Sequence, residues 1–311
     1  RARAATERAV EKMRRYLVRG ILLSCFAGLS VAQQEGRAPA PPPPNRAQEE
    51  KSVEKLPPFI KAREASAKRH EFAVSKGAQF LPTPDGKSFY ILWLPPAAAS
   101  TNPPPLIFTL HGHASWAFDE FFVWQPHLVK AGCGIVALQW WFGEGEKMSD
   151  YYLPREIVQN MSAILRSKKV AKRSVLAHGF SRGSANIYGV TALDNQADQF
   201  IALTVANAGK ASEDFPINRD IADGLLGTRP LKGTFWVTYA GAHDPHPDRS
   251  GVSGMRETQE WIKRFGGTVE LAIEDATGDH GGFHRNPSNV VSALDTFKRV
   301  LAKQSKGGSK D

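Results

Sequence analysis

The residues that could do covalent chemistry begin with Ser181, set in Gly179-Phe180-Ser181-Arg182-Gly183 directly after the apolar run Val175-Leu176-Ala177. A serine between two glycines at the end of a buried strand fits a sharp strand-to-helix turn. The glycines keep neighbouring backbone clear, and the hydroxyl is presented at the apex. A serine hydroxyl is a weak nucleophile near neutral pH; it needs a positioned base, and the base needs an orienting acid. The late part of the chain offers both. Asp244 follows a predicted strand in Tyr239-Ala240-Gly241-Ala242-His243-Asp244, with Asp248 as the second candidate acid. His280 sits in Gly278-Asp279-His280-Gly281-Gly282-Phe283, a glycine-flanked loop beyond the last predicted strand, with His284 as the alternative base. A turn carboxylate or a surface histidine would explain either one alone. Their order along the chain, Ser then Asp then His, joins them into one constellation.

Acyl transfer to a serine also needs two N–H donors where the oxyanion develops. The backbone N–H of Arg182, next to the serine, is one candidate. The other lies in His111-Gly112-His113-Ala114, which closes the apolar run Leu106–Leu110, with the N–H of His113 preferred and that of Ala114 next. The side chains of His111 and His113 have no Asp, Glu or Cys at ligand spacing, so no metal and no cofactor is expected. Trp116, in the same loop, and Trp140 and Trp141, after the run Gly134–Gln139, are candidate substrate-binding aromatics at the rim of the site. Packing beneath the loop is the competing reading.

These residues must be held by strands, and the pattern supplies them. Around Pro82-Thr83-Pro84-Asp85-Gly86, two apolar runs at about 77–81 and 88–94 predict a hairpin. From Pro105 onward, apolar strands (106–110, 134–139, 175–177, 200–205, 234–239 and 268–273) alternate with helices (118–130, 154–168, 184–193, 256–265 and 290–301). That alternation predicts an α/β fold with a mostly parallel sheet covered by helices on both faces. In such sheets functional groups gather beyond the carboxyl ends of the strands, where every candidate above falls. Segments 142–153 and 210–232 are the candidates for a lid.

With four ordered motifs in place, the chain from about Pro105 to Leu301 resembles the α/β-hydrolase superfamily. Its His-Gly loop, serine turn, Gly-x-Asp segment and Gly-Asp-His segment are similar to those of secreted esterases of the polyhydroxybutyrate-depolymerase and feruloyl-esterase-like group. The resemblance implies Ser181 as nucleophile, Asp244 as acid, His280 as base, and the N–H groups of His113 and Arg182 as oxyanion donors. It implies a small-molecule or polymeric ester as substrate. The chain departs from the subgroup in its cysteines and in carrying Arg182 beside the serine. Two other functions share the order of motifs: a prolyl-oligopeptidase-type peptidase, and a secreted protein that keeps the fold without catalysis. The first lacks room, since the roughly 50 residues before Pro105 are too few for an N-terminal propeller. The second is disfavoured because none of Ser, Asp and His is missing.

Composition frames this chemistry. The chain has 311 residues and a formal net charge of +9. Seven of its 40 Lys/Arg and two of its 31 Asp/Glu lie in residues 1–32, so the remainder is close to balance. No basic run is interleaved with aromatics, which excludes a nucleic-acid partner. Arg14, Arg15 and Arg19 precede an apolar run from Gly20 that ends in Ser30-Val31-Ala32. Basic, apolar, then small residues describe a secretory signal peptide with Met13 as its start, and the run is too short to span a bilayer. A secreted or periplasmic protein without stable membrane insertion is expected. Residues 33–54, rich in Ala and Pro from Ala38 to Pro44, read as a linker, 55–305 as the catalytic domain and 306–311 as a polar tail. Beyond Cys25 in the leader the only cysteine is Cys133, so no disulfide is expected after cleavage.

Overall fold

The computed structural model describes residues 52–96 and 103–307; the predicted leader and most of the linker lie outside these. An eight-stranded sheet runs through the described chain in the order β1-β2-β4-β3-β5-β6-β7-β8. The strands are β1 (Gln79–Pro82), β2 (Phe89–Trp93), β3 (Leu106–Leu110), β4 (Gly134–Leu138), β5 (Val175–Phe180), β6 (Ile201–Asn207), β7 (Phe235–Gly241) and β8 (Thr268–Asp275). β1 and β2 pair as the predicted antiparallel hairpin, β2 pairs antiparallel with β4, and every later pairing is parallel.

Side chains alternate across the sheet, and both faces are dry. Leu106, Phe108 and Leu110 of β3 join one core with Val136 and Leu138 of β4, whereas Ile107, Ile135 and Ala137 enter the other. The first core is roofed by α4 (Pro154–Ser167), α5 (Arg182–Gln196), α6 (Pro216–Ala222) and α7 (Val252–Arg264). The second is roofed by α1 (Pro57–Ala65), α2 (Ala67–Ser75), α3 (Ala117–Ala131), α8 (Gly282–Arg285) and α9 (Pro287–Gly307). Val53, at the end of the predicted linker, is already buried in this second core. A fully buried aromatic such as Phe108 or Phe118 stabilises by roughly 1.5–3 kcal/mol through area removed from water.

The helix boundaries follow from local chemistry. α4 starts at Pro154, whose missing N–H is harmless in a first turn, and Glu156 accepts the Leu153 N–H at 2.9 Å. Its buried stripe contains the predicted Ile157, Met161 and Leu165. α3 ends at Gly132, which takes a left-handed conformation at φ +70°. Among the described residues no helix is long and apolar enough to cross a membrane. Cys133 is buried and unpaired, and burial pushes its thiol up to about 11.

Candidate active site

Ser181 stands between β5 and α5, in a backbone conformation of φ +52°, ψ −112° that few non-glycine residues adopt. The flanking glycines allow the turn to close. A Cβ on Gly179 would lie 2.4 Å from the carbonyl oxygen of Gly183, and one on Gly183 would lie 2.5 Å from that of Leu110. The turn is fastened to the neighbouring strand by the Ser181 N–H, which donates to the Asn207 carbonyl at 2.9 Å.

Three strands bring three side chains to one point. His280 Nε2 lies 2.9 Å from Ser181 Oγ, and His280 Nδ1 lies 2.8 Å from Asp244 Oδ2. Asp244 follows β7, and its side chain is fully buried. Its other oxygen accepts the His246 N–H at 2.8 Å and the Ser250 hydroxyl at 2.9 Å, so the carboxylate has one oxygen left for the histidine. The His280 side chain is one-third exposed, facing the cavity and packed on Phe180 at 5.2 Å between ring centroids. This is the geometry of a serine whose proton has an acceptor, with the acceptor oriented by an acid. Asp248, the second candidate acid, lines the cavity and makes no bond to His280.

His284 is placed elsewhere. It faces a sealed network behind the turn, with His178 from β5 and Glu120 from α3. His178 Nδ1 lies 3.1 Å from Glu120 Oε2 and 2.9 Å from Thr109 Oγ1, and Thr109 also bonds Glu120. Asn207, the residue whose carbonyl fastens the serine turn, reaches His178 Nε2 with its amide at 3.2 Å. Trp124 and Phe283 pack around the two histidines. Burial and the neighbouring His178 hold the His284 imidazole down at about 3, and its buried Nε2 has no partner. Burial opposes ionisation of Glu120, but facing His178 and the bonds from His178 and Thr109 hold its carboxyl at about 2. Glu120, His178 and His284 are the one group of three potential metal ligands among the described residues. Glu120 and His178 are already bonded to each other, so a metal would have to displace that contact.

The loop after β3 supplies the other wall. The Ala114 N–H, the second-choice oxyanion donor, is committed to Tyr151 Oη at 3.3 Å, which leaves the His113 N–H as the candidate from this loop. Arg182 is the first residue of α5, so its N–H has no partner within the helix. His111 is buried, its imidazole held down at about 4 by desolvation.

The tryptophans require a correction, because Trp116, Trp140 and Trp141 do not line the cavity beside Ser181. Past β4 the chain turns inward. Trp140 is 1% exposed and donates its indole N–H to the His111 carbonyl at 3.0 Å, while Trp141 donates to Gly145 at 3.1 Å. Trp116 packs on Trp141 at 4.8 Å. Their amphipathic rings support the loop that carries His113 instead of facing a substrate. The cavity, of about 560 Å³, is bordered instead by His113, Arg182, Lys210, Phe215, Arg249 and His280, among others. Of this wall the sequence marks His113, Arg182, His280 and the segment 210–232, part of which folds as α6, and it misses Arg249.

Compared with solved structures, the chain is similar to one of two esterases of the fungus Rhizomucor miehei, at 15% identity and a TM-score of 0.58. The match covers 83% of this chain and 97% of that one. Esterase B from Lactobacillus rhamnosis matches at 14% identity and a TM-score of 0.52, covering 85% of this chain and 100% of its own. The chain has the α/β-hydrolase fold. Francisella virulence factor BioJ shares it at 11% identity and a TM-score of 0.53, covering 83% of this chain and 98% of BioJ. At such identities the likeness is one of fold alone. No protein-family model matches the chain, and no curated protein sequence does. In this α/β-hydrolase fold, Ser181, Asp244 and His280 follow β5, β7 and β8, in the chain order Ser, Asp, His.

Proposed function

We propose that the protein is a serine hydrolase of carboxylic esters that works through an acyl-enzyme on Ser181. The observation that carries this reading is the continuous chain from Ser181 Oγ to His280 Nε2, at 2.9 Å, and from His280 Nδ1 to the buried carboxylate of Asp244, at 2.8 Å. As Ser181 Oγ attacks the ester carbonyl, its proton passes to His280 Nε2, and Asp244 stabilises the imidazolium that forms. The tetrahedral oxyanion is met by the N–H groups of Arg182 and His113. Collapse expels the alcohol, which takes the proton from His280, and leaves the acyl group on Ser181. Water, deprotonated by the same histidine, then releases the acid.

Esterases among the proteins of the same fold support the choice of an ester over an amide. The basic and apolar stretch before residue 33 supports export, with action on an ester outside the cytoplasm. The test is hydrolysis of p-nitrophenyl acetate, butyrate and hexanoate by the folded protein, beside fluorophosphonate labelling of Ser181. Turnover and labelling, both lost in Ser181→Ala, are expected. A folded protein that neither turns over an ester nor takes the label is not a serine hydrolase.

A further inference from the structure

Five arginines of the described chain pair with a carboxylate, Arg155 with Asp220 among them. The others are Arg69, Arg166, Arg256 and Arg285, with Asp119, Asp198, Glu274 and Asp279 in turn. Arg182 pairs with none. One terminal nitrogen faces the Glu146 carbonyl at 3.3 Å and the Met148 sulfur at 3.7 Å. The other lies 3.3 Å from His113 Nδ1, and the guanidinium carbon sits 4.1 Å from the centre of the Tyr151 ring. Carbonyl, thioether, imidazole and aromatic face fix the group in position without neutralising it. A guanidinium stays charged at any physiological pH and offers five donors in a planar fork. This one borders the cavity directly beside the nucleophile.

The rest of the wall carries charges of both signs. Arg249 borders the same cavity and makes no ion pair among the described residues, and Lys210 shares the exposed Glu257 at 3.1 Å. Two carboxylates face them. Asp214 is engaged by the Ser212 hydroxyl at 3.0 Å, and neither it nor Asp248 pairs with Arg182 or Arg249. An isolated charge partly withdrawn from water is unfavourable unless something pairs with it. A cavity of about 560 Å³ has room for a small ester that brings that partner.

We infer that the esters taken by this site carry a carboxylate, and that Arg182 receives it as the counter-ion the protein itself does not supply. A carboxylate suits the fork because both oxygens can accept parallel N–H bonds. Arg182 thus has two separate roles, its backbone N–H facing the oxyanion and its side chain selecting substrate. The inference rests on the ester-hydrolase reading, and the experiment separates the two.

Mono-p-nitrophenyl adipate and p-nitrophenyl hexanoate have equal chain lengths and the same leaving group, and differ in the terminal carboxylate. The wild type is expected to show a kcat/KM at least tenfold higher on the adipate, with the preference shrinking as salt rises. Arg182→Gln keeps the backbone N–H. It is expected to lower kcat/KM on the adipate roughly 10- to 100-fold more than on the hexanoate, mainly through KM, the range set by a lost charge-assisted bond. Arg182→Lys should recover part of the preference. A urea-unfolding midpoint close to the wild type reports that the Arg182→Gln variant is folded. A wild type that favours the hexanoate, or a variant that loses both esters by the same factor, overturns the anionic-substrate inference and leaves the hydrolase intact. Absence of turnover on both esters together with absence of fluorophosphonate labelling overturns the hydrolase and this inference with it.

Discussion

Two carboxylate–imidazole pairs flank the strand that carries Ser181, and their chemistry differs although their components do not. Asp244 and His280 meet at 2.8 Å, with the imidazole one-third exposed to the cavity. Glu120 and His178 meet at 3.1 Å, with the imidazole fully buried. The first pair has a free face 2.9 Å from a hydroxyl, so a proton taken up there has somewhere to go. The second is enclosed by Thr109, Trp124, Asn207 and His284, and ties α3 to β5 and β6 under the serine turn. An acid beside a histidine is therefore no mark of catalysis by itself. Access for a third group is what separates a proton relay from a buried brace.

The largest effects should come from the open pair. Ser181→Ala or His280→Ala should lower kcat/KM on p-nitrophenyl butyrate by about 10⁴-fold or more, with thermal unfolding nearly unchanged, because neither side chain is a packing element of the core. His284→Ala should do the reverse, losing about 1–3 kcal/mol of stability while the folded fraction keeps most of its rate. Equal rate losses in His280→Ala and His284→Ala would remove the distinction between the pairs. Within the open pair, Asp244→Asn should cost roughly 10³- to 10⁴-fold in kcat by disturbing the histidine's orientation and tautomer, and Asp248→Asn less than tenfold.

The closed pair should respond in stability. Glu120→Ala leaves His178 and Thr109 without their partner in a sealed site and should cost about 3–5 kcal/mol in urea unfolding. A loss below 1 kcal/mol would show that water reaches the network. The smallest expected effect is a pH dependence. His111 and His284, held down at about 4 and about 3 by burial, stay neutral in the fold while the unfolded chain binds protons below about 6.5. The stability each provides is complete above 6.5 and is lost as pH falls towards those values. Urea midpoints should accordingly decline from pH 7 to pH 5, before most carboxylates titrate. A flat profile over that range would argue against sealed neutral histidines.

The closed pair was also the part least legible in the sequence. Glu120 falls on the apolar stripe of its helix with Ala117, Phe121 and Trp124, and His178 interrupts an apolar strand, neither with a partner nearby in sequence. Only the packing of α3 against β5, with α8 arriving from the end of the chain, brings them together. The pair Trp140-Trp141 was misplaced for a related reason. Aromatic residues after a strand suit a rim or a core equally, and the inward turn after β4 decides for the core. Helix α6 was hidden in segment 210–232 because seven residues starting at Pro216 show too little period to register.

What the sequence determined by itself was the set of elements and the order of the chemistry. Continuous apolar runs specify buried strands because only a sheet covered on both faces can use them, and Gly-x-Ser-x-Gly specifies a turn because the backbone there tolerates no Cβ on either glycine. Those are local properties, written in adjacent residues. Only the tertiary structure decided that Asp244 lies within reach of His280 and Asp248 does not. It also decided that His284 is sealed away and that Arg182 is left without a carboxylate beside the cavity. Each of these turns on distances of a few ångströms between segments tens of residues apart. Such distances are set by how the two helical layers close on the sheet, and no single stretch of the chain encodes them.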